Sequence, residues 1–270
     1  MPDFLYALNA STVQTTSILG QIRAAGGAGY AGIELWFDAV DAHVKHGGSL
    51  KDIRLSLADE GLAVPTMIYL GGWFDAPSDQ YAGVMDECKR RMGIAAEPGA
   101  HYVIAGPPIG KADYQIGARR YRELSEIGSA LGVRPAMEFL GFVDELNTIE
   151  EALAVMTRSG RDDATTVLDP AHIYRGGGSV ESIAKLRADQ IAICHFDDCP
   201  ADVLRERQSD EDRVMPGSGV FDLMRYLSLL REIGYRRFLS LELFRNDLWR
   251  LAPEDVARAG LESMRQVVEG

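Results

Sequence analysis

Eight short apolar runs, distributed along almost the whole chain, constrain the possible folds more than any other feature of the sequence. Most are nearly continuous in Val, Ile, Leu, Phe or Tyr rather than alternating with polar residues, which is typical of strands buried on both faces of a parallel sheet. The runs occupy residues 4–8, 32–37, 63–70, 102–105, 134–139, 165–168, 191–196 and 238–244.

The stretches between these runs show helical periodicity and helix-ending glycines. Several of them stop at a glycine, as at Gly132, Gly160 and Gly234, where a left-handed residue commonly closes a helix. The predicted helical stretches occupy residues 17–25, 50–60, 114–131, 148–159, 180–186, 221–233 and 253–268.

Eight strand-like runs alternating with helix-like stretches, over about 250 residues, is the element count of a (β/α)8 barrel. The main rival is an open doubly wound sheet, which needs a Gly-rich phosphate loop after its first strand. Residues 9–12 read Asn-Ala-Ser-Thr, and the triplet at residues 176–178 comes too late and lacks the required spacing. We therefore predict an α/β protein with a single domain, a (β/α)8 TIM barrel spanning residues 1–270.

Composition and charge limit the possible partners. The chain carries 40 Asp plus Glu against 28 Lys plus Arg, a net charge of -12, which disfavours binding to nucleic acid. No apolar run approaches the ~18 residues of a membrane span, and the N-terminus lacks the basic segment of a secretory signal. The three cysteines do not suggest a disulfide framework, so the sequence predicts a cytoplasmic protein that does not associate with membranes.

Polar residues stand at the ends of four successive predicted strands, where TIM barrels place their chemistry. They are Glu138, Asp169, His195 and Glu242, each embedded in apolar sequence. Buried carboxylates are costly unless they are paired or bound to a cation, so adjacent strand ends of this kind indicate a divalent metal site. Three carboxylates and one imidazole suit Mn2+, Mg2+ or Co2+ and do not exclude Zn2+.

Further polar residues lie close to these strand ends in the sequence. His172 follows Asp169 by three residues, either supporting the metal site or hydrogen-bonding a substrate oxygen. Glu34 lies inside the second apolar run and either orients substrate or pairs with a buried arginine. Arg213 is the cation expected to enter the site, and Gly217 and Gly219 after it form a weak candidate for an anion cradle.

At these residues the sequence resembles the xylose-isomerase-like barrel superfamily of sugar isomerases and epimerases. The motifs are AMEF with Glu138, LDPAH with Asp169, CHFDD with His195, the DRVMPGSG loop with Arg213, and SLELF with Glu242. From residue 193 to residue 251 the chain is similar, within that superfamily, to the 2-keto-myo-inositol (inosose) isomerase family.

The resemblance implies a site and a substrate class. One divalent metal, Mn2+ first and Zn2+, Co2+ or Mg2+ as alternatives, would be bound by Glu138, Asp169, His195 and Glu242. Glu138 and Glu242 would also move protons on the two faces of the substrate, while His172 and Arg213 bind its oxygens. The substrate would be a small polyol, ketose or cyclitol, and relatives of this kind are often homodimers or homotetramers.

The chemistry predicted for such a site has several outcomes. Proton abstraction beside a metal-bound ketone gives a cis-enediolate, and returning the proton to the other carbon completes an isomerisation. The same site supports a ketose 3-epimerase, a hydroxypyruvate isomerase, or an inosose or dehydroshikimate dehydratase. A DNA repair enzyme like endonuclease IV and a sugar-binding barrel without turnover are more remote alternatives, the former disfavoured by the acidic charge.

Overall fold

The computed structural model describes residues 3–270, which form a closed barrel of eight parallel strands in chain order. The first and last strands pair in register from Leu5 with Phe238 to Leu8 with Leu241, and this pairing closes the barrel. The strands are β1 (Leu5–Asn9), β2 (Gly32–Trp36), β3 (Thr66–Leu70), β4 (Tyr102–Ala105), β5 (Arg134–Met137), β6 (Thr165–Leu168), β7 (Ile191–His195) and β8 (Phe238–Leu241). The predicted (β/α)8 TIM barrel is confirmed.

The helices surround this barrel and connect each strand to the next. They are α1 (Ile18–Ala28), α2 (Phe37–Lys45), α3 (Leu50–Asp59), α4 (Tyr81–Ala96), α5 (Tyr114–Leu131), α6 (Ile149–Ser159), α7 (Pro170–Arg175), α8 (Leu223–Glu232) and α9 (Pro253–Glu269). Their ends follow from local sequence. The Asp113 carboxylate, for example, accepts the backbone N–H groups of residues 115 and 116 to start α5, and Gly132 ends that helix at a φ of +75°.

The helix pattern differs from the sequence expectation at four places. The stretch 180–186 was expected to be α-helical, but it forms a 3-10 helix (Val180–Lys185) that ends before Leu186. The sequence analysis did not identify α2, α4 or α7. The surface of α4 is dense in charged residues, so only Met85, Cys88, Met92 and Ala95 are buried along its 16 residues.

Strand alternation sorts side chains between the barrel interior and the layer beneath the helices. A small apolar cluster that includes Ala136, Val167 and Ile193 occupies the interior, separate from the larger core between strands and helices. Each of these three residues lies two positions before a predicted metal ligand. Glu138, Asp169 and His195 therefore point along the same inward face, toward the mouth of the barrel.

Two further expectations concern cysteines and membranes. Cys88, Cys194 and Cys199 are all free and buried, as expected for a chain without a disulfide framework. Among residues 3–270, none of the helices combines the length and the apolar character that crossing a bilayer would require.

Candidate active site

The four predicted ligands lie together at the carboxyl ends of their strands. Glu138, Asp169 and Glu242 are each the first residue after their strand, and His195 is the last residue of β7. Because all eight strands are parallel, these ends meet at one mouth of the barrel.

Asp169, His195 and Glu242 form the tightest group. One potential ligand atom from each lies within 4.8 Å of the others, and all three residues are buried. The Nδ1 atom of His195 lies 3.2 Å from Oδ2 of Asp169 and 3.0 Å from Oε2 of Glu242. This nitrogen, rather than Nε2, therefore faces the position where the carboxylate oxygens converge.

Glu138 stands at the edge of this group and faces the open cavity above it. Its Oε1 atom is 4.0 Å from Nδ1 of His195, and its side chain keeps some exposure. Burial raises the pKa of Glu138 well above its ordinary value; the positive charge of His195 opposes the shift, while the charges of Glu242 and Asp169 add to it. The structure therefore places Glu138 beside the other three rather than within their tightest cluster.

Arg213 is the cation that balances these carboxylates. Its guanidinium is buried, and Nη1 lies 2.8 Å from Asp169, 2.8 Å from Asp197 and 2.6 Å from Glu242. Its Nη2 atom binds Asp210 at 2.7 Å. A buried cation shared by four carboxylates has a pKa well above its ordinary range, because these charges outweigh the cost of burial.

His172 contacts the same guanidinium through a ring nitrogen. Its Nε2 atom lies 3.2 Å from Nη2 of Arg213. Since a guanidinium can only donate, Nε2 must be the acceptor, which requires a neutral ring protonated at Nδ1. Burial lowers the pKa of His172; the charge of Asp169 opposes the shift and that of Arg213 reinforces it, in agreement with a neutral ring.

Glu34 lies inside the barrel behind His195. Its carboxylate is fully buried, accepts hydrogen bonds from the hydroxyls of Thr66 and Ser240, and lies 3.4 Å from Nε2 of His195. Burial alone would raise the pKa of Glu34, but His195 and the two hydroxyl donors outweigh it and keep the pKa below its ordinary value. The structure thus places this carboxylate toward His195, and Glu34 is not among the residues that line the cavity described below.

The candidate anion cradle at Gly217 and Gly219 holds a carboxylate of the chain itself. The backbone N–H groups of both glycines donate to Oδ2 of Asp198 at 3.1 and 3.0 Å, and those of Cys199 and Phe221 donate to Oδ1. A Cβ on Gly219 would lie only 2.2 Å from the carbonyl oxygen of Cys199, so this position needs glycine. Asp198 thereby fixes the loop that carries Arg213.

Asp198→Asn is expected to lower the free energy of unfolding by about 2–3 kcal/mol. The amide can replace only one of the two acceptor oxygens, so two charge-assisted hydrogen bonds are lost at a buried position. Urea unfolding measures the loss, with Asp202→Asn on the exposed surface as the matched control. A loss below about 0.5 kcal/mol would mean that this carboxylate does not hold the loop.

Sequence reasoning missed three residues of the site: Asn9, Asp197 and Asp198. Asn9, at the end of β1, donates to both Glu34 and Glu242. Asp197 binds Arg213 and accepts the backbone N–H of Ala171. The two acidic residues directly follow His195 and Phe196 in an apolar run, a signal that would have identified them, whereas nothing local distinguishes Asn9.

A cavity of about 270 Å³ opens directly above the ligand group. Its base is polar, and its upper walls are aromatic and aliphatic. The polar residues are Glu138, His172, Asp210, Arg213 and Glu242. The apolar residues are Trp36, Ile68, Tyr69, Ile104, Pro107, Ile109, Leu140, Phe142, Val143 and Phe244.

The residues at the cavity base fit a divalent metal ion. Carboxylate oxygens of Asp169 and Glu242 converge with Nδ1 of His195 in a buried site, and Glu138 offers a further oxygen beside them. Oxygen donors with one imidazole are an ordinary set for a first-row divalent cation. A closed (β/α)8 barrel with such a group below a cavity at its mouth has the make-up of a metal-dependent barrel enzyme.

Residues 22–267 match the xylose isomerase-like TIM barrel family, and the chain belongs to that family. The expected resemblance is therefore confirmed. The inosose isomerase of Bacillus velezensis is 33% identical over 198 residues, which cover 70% of this chain and 69% of that protein. The inosose isomerase of Bacillus subtilis is 32% identical over 201 residues, 70% of this chain and 68% of that protein.

Two other similarities extend over almost the whole chain. A crystal structure of IolI protein with a bound zinc atom superimposes with a TM-score of 0.91 at 27% identity, covering 98% of each chain. The 3-dehydroshikimate dehydratase of Pseudomonas aeruginosa is 28% identical over 96% of this chain, which corresponds to 42% of that protein. The predicted isomerase activity agrees with the names of the bacillar relatives, and the alternative dehydratase chemistry also occurs among the relatives.

Proposed function

We propose that this protein is a divalent-metal-dependent inosose isomerase that moves the ketone of 2-keto-myo-inositol along its ring. The observation that carries the proposal is the meeting of Glu138 and Glu242 with Asp169 and His195 at the base of one cavity. The similarity to inosose isomerases over 70% of the chain supports 2-keto-myo-inositol as the substrate of this site.

Asp169, His195 and Glu242 would hold the metal ion, with Glu138 as the fourth ligand. The bound ion supplies Lewis acidity, which acidifies the C–H bond next to the substrate ketone. Mn2+ remains the predicted ion, since oxygen donors dominate the set, while the zinc in the IolI structure keeps Zn2+ as an alternative.

Glu138 and Glu242 would carry out the proton transfer. One carboxylate removes the proton from the hydroxyl-bearing carbon beside the ketone, the proton of that hydroxyl passes to the former ketone oxygen, and the other carboxylate delivers a proton to the former carbonyl carbon. Glu138 suits the first contact with substrate, because it lines the cavity and its side chain is more exposed there than that of Glu242. Arg213 and His172 reach the same cavity and would bind substrate oxygens.

The charge distribution of the cavity favours an uncharged cyclitol over an anionic substrate. Among the described residues that line it, Arg213 is the single Lys or Arg, and its guanidinium already contacts four carboxylates. A substrate carboxylate would therefore find no free Lys or Arg side chain among these lining residues and would face Glu138 and Asp210. This supports inosose over 3-dehydroshikimate, although a dehydratase relative aligns with 96% of the chain.

The test is a substrate panel with the Mn2+-loaded protein and NMR detection of products. We expect a new ketone position from 2-keto-myo-inositol, and no turnover of 3-dehydroshikimate or of ketohexoses. Loss of water from either cyclic substrate would show that the protein is a dehydratase and not an isomerase. Turnover confined to a ketohexose would show that it is an epimerase. Cytoplasmic location and a homodimeric or homotetrameric state remain predictions. Light scattering would measure the oligomeric state.

Glu34→Gln is expected to weaken Mn2+ binding by about 10–100-fold while leaving KM nearly unchanged. The reason is that Glu34 faces Nε2 of His195 and would hold the ring so that Nδ1 points to the ligand group. Titration calorimetry on metal-free protein measures this. If Glu34 bound substrate instead, as the sequence predicted, KM would rise and Mn2+ affinity would stay at its wild-type value.

A further inference from the structure

Asn9 is the last residue of β1, and both the oxygen and the nitrogen of its side-chain amide form hydrogen bonds below the cavity. It is fully buried, and its Oδ1 atom accepts hydrogen bonds from Nε1 of Trp36 at 2.8 Å and from the backbone N–H of Ser11 at 3.0 Å. Its Nδ2 atom donates to Oε1 of Glu242 at 2.8 Å and to Oε1 of Glu34 at 3.2 Å.

The surroundings allow only one orientation of this amide. An indole N–H and a backbone N–H can only donate, so the atom that faces them must be the carbonyl oxygen. The NH2 group must then face the two carboxylates, which as ionised groups can only accept. A flipped amide would place donor against donor and acceptor against acceptor at four contacts inside the barrel.

This amide fixes one oxygen of Glu242, and the other oxygen points toward the candidate ligand group. Oε1 of Glu242 is held by Asn9, while Oε2 points to Nδ1 of His195 at 3.0 Å and to Nη1 of Arg213 at 2.6 Å. A glutamate side chain has several rotatable bonds, and holding one oxygen selects among its rotamers.

The same amide also contacts the wall of the cavity. Trp36 lines the cavity and meets the ring of Phe244 edge-on, with 5.8 Å between centroids. Because its Nε1 donates to Asn9, one side chain connects this wall with the carboxylate at the base.

We propose that Asn9 is a positioning residue, which orients Glu242 for metal binding and proton transfer and ties that orientation to Trp36. The inference rests on the proposed metal-dependent function, but its test by metal affinity needs no substrate. A purely structural role is the alternative, since the Asn9 carbonyl oxygen also caps the 3-10 helix Ala10–Val13.

Two variants separate these roles. Asn9→Ala removes all four hydrogen bonds, whereas Asn9→Ser keeps a good capping residue for the 3-10 helix but is too short to reach Glu242. We expect both to weaken Mn2+ binding to the metal-free protein by about 10-fold or more, and to lower kcat by about 10–100-fold with KM within about threefold. Trp36→Phe keeps an aromatic wall but removes the indole N–H that donates to Oδ1 of Asn9, and it should show smaller changes in the same direction.

The matched control is Thr165→Val, a buried strand residue whose hydroxyl bonds only the backbone oxygen of Pro135. It is expected to lower the melting temperature but to leave Mn2+ affinity and kcat unchanged. The proposal would be overturned if Asn9→Ser had the Mn2+ affinity of the wild type and a kcat within twofold of the wild-type value. If Asn9→Ala fails to fold, Asn9→Ser alone provides the test. If the Asn9 variants lose Mn2+ affinity but the wild-type protein does not convert inosose, the proposed function is refuted and the positioning role of Asn9 is not.

Discussion

Glu242→Gln is expected to lower kcat by about 10³-fold or more, the largest effect of any single substitution in this protein. The change removes a ligand charge and a proton-transfer group together, and general acid–base catalysis alone contributes about 10²–10⁴-fold. It also places an amide NH2 within reach of Nη1 of Arg213, which lies 2.6 Å from Oε2 in the native protein. Steady-state turnover of 2-keto-myo-inositol at saturating Mn2+ measures the effect.

Glu138→Gln provides the comparison that separates metal binding from proton transfer. Because Asp169, His195 and Glu242 form the tight group without it, this variant should keep most of its Mn2+ affinity while kcat falls by about 10²-fold. Glu262→Gln, on the exposed face of α9, is the control and should keep wild-type activity. Near-wild-type turnover by Glu138→Gln with Mn2+ bound would contradict its role in proton transfer.

Arg213→Ala is expected to destabilise the metal-free protein by about 3–5 kcal/mol, the largest stability effect that we predict. Its removal leaves Asp169, Asp197 and Glu242 buried without their shared cation, and breaking a buried ion pair by removing one partner carries a cost of this size. Mn2+ should restore more stability to this variant than to the wild type, because the ion supplies the missing positive charge.

Urea unfolding with and without Mn2+ tests this expectation. Arg258→Ala is the control, since its pair with Asp255 is exposed and such pairs contribute about 0–1 kcal/mol. An Arg213→Ala variant as stable as the wild type without metal would show that this arginine does not stabilise the buried carboxylates around it.

The barrel and the group of polar residues at its mouth were predictable because both depend on local sequence. A strand buried on both faces must be apolar throughout, so a Glu, Asp or His at its end is conspicuous, as in Met137-Glu138 and Leu168-Asp169. Helix α4 escaped prediction because few of its side chains are buried, and its charged surface obscures the periodicity.

The supporting network was not predictable in the same way, because it depends on contacts between distant strands. Asn9 and Glu242 are separated by 233 residues and meet only because β1 and β8 close the barrel. Glu34 was recognised as unusual inside its strand, but it meets His195 across the barrel interior, from strands that are not neighbours in the sheet. The glycines after Arg213 looked like a site for a foreign anion, and the chain supplies that anion itself through Asp198.

The most direct test of the central claim follows the ring protons of 2-keto-myo-inositol by NMR in D2O with the Mn2+-loaded protein. We predict a product whose ketone has moved to the neighbouring carbon and which carries deuterium at the former carbonyl carbon, because the carboxylates exchange their protons with solvent. An isomerised product without deuterium would indicate direct hydride transfer and contradict the two-glutamate route. Neither product nor exchange, with Mn2+ bound, would contradict inosose isomerisation itself.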